Sequence, residues 1–261
     1  MLRAADALLV CAGAGMGVDS GLPDFRGPEG FWRAYPPYRA LGLRFEELAD
    51  PVHFVDDPEL AWGFYGHRLG LYRHTVPHSG FAVLHRWAQL RPMRVLTSNV
   101  DGQFQAAGFD PETVAEVHGS IHHLQCLAGC GAPWPADGTE VTVDPGTMRV
   151  RLPLPACPRC GSLARPNILM FGDWAFDPTH VAPRLTVHAA FVRKRRGGLA
   201  VVELGAGTAL PTIRRQAELA SATTGALVRI NPREPRVRDG RGVGIAAPAA
   251  EVLHALDERM R

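Results

Sequence analysis

Three constellations in this chain of 261 residues have the types and spacing to do chemistry. The first is Cys126-x3-Cys130 with Cys157-x2-Cys160, four thiols in two close pairs separated by a loop. Each pair lets a tight turn aim two sulfurs at one metal ion, and Gly129, Gly131 and Gly161 supply the glycines such turns tend to need. This is the spacing of a structural zinc site, because four thiolates complete the tetrahedron and leave no position for a reacting water. Two disulfides are the competing reading, which a cytoplasmic setting disfavours. His122 and His123 stand close enough to Cys126 in sequence to be substitute ligands.

The second constellation is a glycine-rich turn. An apolar run, Ala7-Leu8-Leu9-Val10-Cys11, leads straight into Gly13-Ala14-Gly15-Met16-Gly17. That order reads as a strand ending in a turn whose missing side chains let a phosphate approach the backbone. A turn that only cradled phosphate would run on into a helix. Here Ser20-Gly21-Leu22-Pro23-Asp24-Phe25-Arg26-Gly27 follows, so a loop carrying charged and aromatic groups leaves beside the phosphate turn. The third constellation is Tyr65-x-x-Arg68 on an expected helix. Positions three apart share a helix face, and a guanidinium beside a phenol is suited to holding a carboxylate. The same two residues also read as a core tyrosine and a solvated surface arginine.

Strands are expected at 5–12, 93–97, 113–117, 167–171, 199–204 and 226–230, and helices at 58–75, 78–90, about 178–192 and about 249–260. Nearly apolar strands alternating with helices argue an α/β fold, a doubly wound, Rossmann-like parallel sheet covered on both faces. Polar clusters follow four strands, at 13–26, 98–101, 205–208 and 231–234. Ligands of open α/β sheets bind at the carboxyl ends of strands, so these clusters describe one crevice. The stretch 119–165, rich in proline, glycine and cysteine, has little periodicity and reads as a small second domain.

The net charge of +2 is too mild to imply a nucleic-acid partner. Lys194 is the lone lysine among 28 Lys and Arg residues, a bias of composition more than of binding. No run approaches the roughly 18 apolar residues of a membrane span. Arg3, an apolar stretch and Ala12-Gly13-Ala14 imitate a signal peptide, but Asp6 interrupts the stretch and cleavage would destroy the glycine turn. A cytoplasmic protein is expected, with Cys11 a small buried hydrophobe in the first strand.

Taken together, these segments resemble the sirtuin family, the NAD-dependent protein-lysine deacylases. Gly13-Ala14-Gly15 with Ser20 through Arg26 is similar to the family's NAD turn and cofactor loop. Thr97-Ser98-Asn99-Val100-Asp101 resembles its Thr-Gln-Asn-Ile-Asp motif, and His118-Gly119-Ser120 its catalytic His-Gly segment. The cysteine pairs follow in family order. Arg165-Pro166-Asn167 through Phe171-Gly172-Asp173 is similar to the strand and turn that pair with the substrate backbone, and Gly207-Thr208 and Ile230-Asn231 to the adenosine-side contacts. Tyr65 and Arg68 resemble the pair found in sirtuins that remove succinyl and malonyl groups. Gly17 stands where the family usually has Ser, Ala209 where it has Ser, and Ser98 where it has Gln, which removes an amide near the ribose and nicotinamide pocket.

The resemblance implies NAD contacts at Gly13, Ala14, Gly15, Asp24, Phe25, Arg26, Ser98, Asn99, Asp101, Gly207, Thr208 and Asn231. It implies catalysis by His118 with Asn99 and Asp101, substrate contacts at Tyr65, Arg68, Phe171 and Gly172, and one structural zinc on Cys126, Cys130, Cys157 and Cys160. It divides the chain into a Rossmann-like NAD-binding domain (1–30, 77–118 and 166–261), a cofactor loop and helical insertion (31–76) and a zinc module (119–165). In the implied reaction the carbonyl oxygen of an acylated lysine displaces nicotinamide from the ribose. His118 then takes a proton from a ribose hydroxyl that attacks the acyl carbon, giving acyl-ADP-ribose and free lysine. An imidazole with an unperturbed pKa near 6.5 suits that step. ADP-ribosyl transfer or NAD hydrolysis, and a non-catalytic NAD or ADP-ribose sensor, remain as alternatives.

Overall fold

The computed structural model describes residues 1–23, 31–33, 35–40 and 42–260. Its centre is the apolar run read as the first strand, β1 (Ala7–Ala12), with every residue buried. Leu8, Val10 and Ala12 point into one core and Ala7, Leu9 and Cys11 into another, so the strand must be covered on both faces. The further strands are β2 (Met93–Thr97), β3 (Val114–Glu116), β4 (Gly119–Cys126), β5 (Trp134–Pro135), β6 (Ala164–Ile168), β7 (Leu199–Leu204), β8 (Leu227–Ile230) and β9 (Gly242–Ile245).

Six of them form a parallel sheet in the order β3-β2-β1-β7-β8-β9. The order runs outward in one direction from β1 and in the other from β7. The switch point of this Rossmann-like, doubly wound sheet therefore lies between these two strands. One face is covered by the helices Ser79–Leu90 and Ala249–Met260, the other by Ala182–Arg195 and Thr212–Ser221. Asp257 ties the first pair together, accepting from Trp87 Nε1 at 2.8 Å and from Arg86 at 2.7 Å.

A second core sits beside the sheet. It joins the helical stretch 36–74 to a three-stranded antiparallel sheet, β5-β4-β6, through Tyr38, Phe54, Trp62, Phe64, Tyr65, Ile121, Leu124 and Met148. The helix Pro58–His74 is stitched to the small sheet by Trp62 Nε1, which donates to the Ala164 carbonyl at 2.8 Å. It also presents glycines where the chain 141–149 crosses it. A Cβ at Gly63 would meet the Met148 carbonyl oxygen at 1.8 Å, and one at Gly66 would meet Val141 at 2.3 Å.

Three expectations need correction. The strand placed at 167–171 spans Ala164–Ile168 and pairs with β4 in the small sheet, outside the parallel sheet. The apolar residues 169–171 misled, because it is the buried Arg165 and Asn167 that lie in the strand. The stretch 119–126, read as aperiodic, is the longest strand of the small sheet, and an irregular register between Ser120 and Leu124 hides its alternation. The glycine-rich edge strand β9 was not expected at all. Its Gly242 and Gly244 pass so close to Leu227 and Pro235 carbonyl oxygens that a Cβ would meet them at 2.1 and 2.0 Å. The helix expected near 178–192 runs from Ala182 to Arg195 behind a 3-10 turn at Pro178–His180. Among the described residues, no helix is long and apolar enough to cross a membrane.

Because the atom opposing Gly63 is backbone and cannot rotate away, Gly63→Ala should destabilise the protein by about 2 kcal/mol or more. Denaturant unfolding followed by circular dichroism checks this, with Gly70→Ala, which meets nothing within 4 Å, as the control.

Candidate active site

The turns that follow β1 and β7 interlock backbone to backbone. Gly13 N–H donates to the Leu204 carbonyl at 2.9 Å and Gly15 N–H to the Gly205 carbonyl at 3.0 Å. A Cβ at Gly13 would meet Ala206 Cα at 2.7 Å, and one at Gly15 would meet Gly205 Cα at 2.8 Å. The two glycines are therefore required first by the neighbouring loop, and the Gly15 amide is engaged there. Two asparagines brace the same junction. Asn99 Nδ2 donates to the Gly13 carbonyl at 3.1 Å, and Asn231 Nδ2 to the Ala206 carbonyl at 2.9 Å.

Beside this junction opens a cavity of about 690 Å³, within the range of small-molecule and cofactor sites. It is lined by Gly207, Thr208 and Glu234, by Gly13, Ala14, Ser98, Asn99, Asp101 and His118, and by Tyr65, Arg68, Tyr72 and Phe171. Gly15 and Asn231 line a smaller neighbouring cavity of about 170 Å³ together with Arg233. Gly172 lies in the turn beyond Phe171, with φ +64°. Asp24, Phe25 and Arg26 lie outside the described residues.

His118 stands two residues past β3, and its carbonyl accepts from Leu169 N–H at 2.9 Å. Burial lowers the imidazole's pKa, against a partly compensating hydrogen bond to the Ser98 carbonyl. The ring is thus neutral at pH 7, with one nitrogen left to accept a proton. Asp101 sits on the turn after β2, where its Oδ1 accepts from Gln103 N–H at 3.0 Å. Burial pushes its carboxyl up to about 6, and burial followed by repulsion from Asp101 pushes Glu116 up to about 8. Asp101 and His118 line the same cavity, so a carboxyl with a raised pKa and a neutral imidazole share one site able to hold and move protons.

Arg68 is buried, 6% exposed, which overturns the solvated alternative for this side chain. Tyr65 is buried as well, packed against Phe54 and Phe64. The expected phenol–guanidinium partnership takes a different form. Arg68 Nε and Nη2 donate to the Tyr72 hydroxyl, at 3.1 and 2.8 Å, while the Tyr65 ring centroid lies 5.7 Å from the guanidinium carbon. Tyr72 was missed, although its place four residues after Arg68 puts it on the same helix face. Glu234 was missed too, and its carboxylate accepts from Thr208 N–H at 3.1 Å and from the Thr208 hydroxyl at 2.6 Å. Below Phe171 the turn is held by Asp173, which receives Arg165 Nη1 and Nη2 at 2.8 and 3.0 Å with both side chains fully buried.

The four cysteines converge as their spacing requires. Cys126 and Cys160 sulfurs are 3.5 Å apart, Cys130 and Cys157 3.4 Å, and all four lie within 4.8 Å of one another. Sulfurs at about 2.3 Å from one tetrahedral zinc lie about 3.8 Å apart, so the cluster fits a single structural ion. All are free thiols at distances far beyond a disulfide bond. His122 and His123 are turned elsewhere: His122 Nε2 bonds the Asp101 carbonyl at 3.0 Å, and His123 stacks on His180.

The chain matches the Sir2 family over residues 13–191. It belongs to that family. This Sir2-family protein is 33% identical over 259 residues to the NAD-dependent protein deacylase 1 of Archaeoglobus fulgidus, covering 97% of this chain and 93% of the relative. It is 34% identical over 184 residues to the mitochondrial NAD-dependent protein deacylase sirtuin-5 of Danio rerio, covering 64% of this chain and 57% of the relative. Among solved structures, a Sir2 homologue in complex with NAD superimposes with a TM-score of 0.78 at 26% identity, covering all of this chain and 91% of the other.

Purified protein should carry one zinc ion per chain by elemental analysis. Cys157→Ala, which removes a buried thiolate of the cluster, should lose that zinc and lower the thermal midpoint of unfolding.

Proposed function

We propose that this protein removes acyl groups from protein lysines with consumption of NAD, yielding nicotinamide and O-acyl-ADP-ribose. The observation that carries the reading is that a neutral imidazole, His118, and a buried cation, Arg68, line one cavity at the sheet's switch point. Relatives that match nearly the whole chain are named NAD-dependent protein deacylases.

In this reading the interlocked turns and Gly207–Thr208 hold the adenosine diphosphate portion, with Asn231 on the adenosine side and Asp24, Phe25 and Arg26 as further cofactor contacts. The fit rests on a cavity of cofactor size lined by Gly13, Ala14, Gly207 and Thr208, which follow β1 and β7. NAD supplies, when bound, an electrophilic ribose carbon and an adjacent ribose hydroxyl. Ser98, Asn99 and Asp101 orient the nicotinamide end. The imidazole nitrogen of His118 that is not bonded to Ser98 takes the hydroxyl proton. Phe171 and Gly172 lie along the acyl-lysine, whose acyl end reaches Tyr65 and Arg68. Arg68 favours acyl groups that end in a carboxylate, succinyl or malonyl, over acetyl. Residues 1–30, 77–118 and 166–261 form the NAD-binding domain in this scheme, with 31–76 and 119–165 closing the acyl side. Four cysteines gathered as a metal cluster, not paired as disulfides, suit a reducing, cytoplasmic setting.

Acetyl-, malonyl- and succinyl-lysine versions of one peptide, incubated with and without NAD and read by mass spectrometry, test the reading. NAD-dependent loss of an acyl group with appearance of acyl-ADP-ribose is expected. His118→Ala should retain NAD binding by calorimetry and lose turnover by about 100-fold or more. Since burial lowers the His118 pKa, the base form persists to lower pH. The acid limb of kcat/KM should therefore have its midpoint below 6.5, and a midpoint above 7 would contradict the assignment.

A further inference from the structure

Arg68 has a companion in the cavity wall outside the Tyr-x-x-Arg pair. Its Nε and Nη2, the two parallel N–H groups of one guanidinium edge, both point at the Tyr72 hydroxyl oxygen, at 3.1 and 2.8 Å. That edge is one of those with which a guanidinium can grip the two oxygens of a carboxylate. The surroundings hold the cation in place, with the rings of Phe64, Tyr65 and Tyr72 centred 5.2, 5.7 and 5.3 Å from the guanidinium carbon. Burial raises the pKa of Tyr72 above its ordinary value, so its hydroxyl stays un-ionised at neutral pH. A neutral oxygen thus occupies the position that an anionic ligand oxygen would take, and Tyr72 itself lines the cavity.

We propose that Tyr72 is a specificity-determining residue: its hydroxyl holds the Nε–Nη2 edge of Arg68, and an acyl chain whose carboxylate binds along that edge takes it from Tyr72. A neutral acyl group leaves the Arg68–Tyr72 contact in place and meets a cation whose edge is already satisfied. An acidic acyl group gains the stronger, bidentate contact only after breaking the weaker one. Tyr72 therefore widens the range of acyl groups toward neutral ones and moderates the affinity for acidic ones. This inference rests on the reading of the cavity as the acyl-lysine site.

The test compares kcat/KM for succinyl- and acetyl-lysine versions of one peptide, with NAD, in the wild type, Tyr72→Phe, Arg68→Met and the double variant. Tyr72→Phe keeps the ring and removes only the oxygen. Its succinyl-to-acetyl ratio should rise on the order of tenfold, the equivalent of one charge-assisted hydrogen bond no longer to be displaced. The gain should lie mainly in a lower KM for the succinyl peptide. In the Arg68→Met background the same change should leave the ratio unmoved. Tyr72→Met offers the same readout should the phenylalanine variant fail to fold. With an active wild type, an unchanged or lower ratio in Tyr72→Phe overturns the proposal, since a tyrosine that only packs would depress both substrates alike. A wild type inactive on every acyl peptide removes the deacylase reading itself, and the proposal with it.

Discussion

The site depends on one steric constraint, the approach of two strand-end backbones too close to admit a side chain. β1 and β7 are neighbours in the sheet, yet their chains continue to opposite halves of it. At such a switch point the following turns normally diverge. Here the turns after them are held together by amide-to-carbonyl bonds between 13–15 and 204–205, which Gly13, Gly15 and Gly205 make possible. Gly205 takes φ +61°, and a Cβ there would meet Gly15 at 2.4 Å. Asn99 and Asn231 then bind the next two strand-end turns to this junction. Four loops from distant parts of the chain become one rigid floor, and catalytic geometry needs that rigidity more than any single contact.

The opposite wall is built on a different principle. The second core is dense in aromatic rings, and it buries Arg68 with its donors directed at a phenol oxygen. Arg165, equally buried, meets the carboxylate of Asp173 in a two-point pair and fixes the turn that carries Phe171 and Gly172. The contrast is informative. Burying a guanidinium against a fixed carboxylate makes a structural strut, whereas the Nε–Nη2 edge of Arg68 rests on a neutral hydroxyl. The zinc module and the helix Pro58–His74 share this core, so the metal's contribution reaches the cavity wall at Tyr65 and Arg68 through packed side chains.

Much of this was legible in the residues. Nearly apolar runs identified β1, β2 and β7, because strands covered on both faces bury mostly apolar side chains, with Arg94 in β2 and Glu203 in β7 as charged exceptions. The cysteine spacing identified the metal cluster, because thiolate geometry leaves few alternatives. What escaped notice was governed by contacts distant in sequence. β6 carries its buried polar residues on account of Asp173 and Gln125, partners that no local pattern reveals. β4 loses its alternation at an irregular register, and β9 is glycine-rich because two carbonyl oxygens crowd it. The turn glycines carry a second requirement that their local pattern does not reveal, the close approach of the loop after β7. Tyr72 could have been found from its i+4 spacing, had the helix face been followed one turn further.

The central claim is that NAD cleavage and acyl transfer are one coupled event in this cavity. Nicotinamide release should be measured with purified protein and NAD, with and without an acyl-lysine peptide, alongside the amount of peptide deacylated. The account predicts negligible release without the peptide and, with it, one nicotinamide for each acyl group removed. Release that proceeds equally without the acyl-lysine, or that outruns deacylation, would contradict it and assign the site to NAD hydrolysis or ADP-ribosyl transfer.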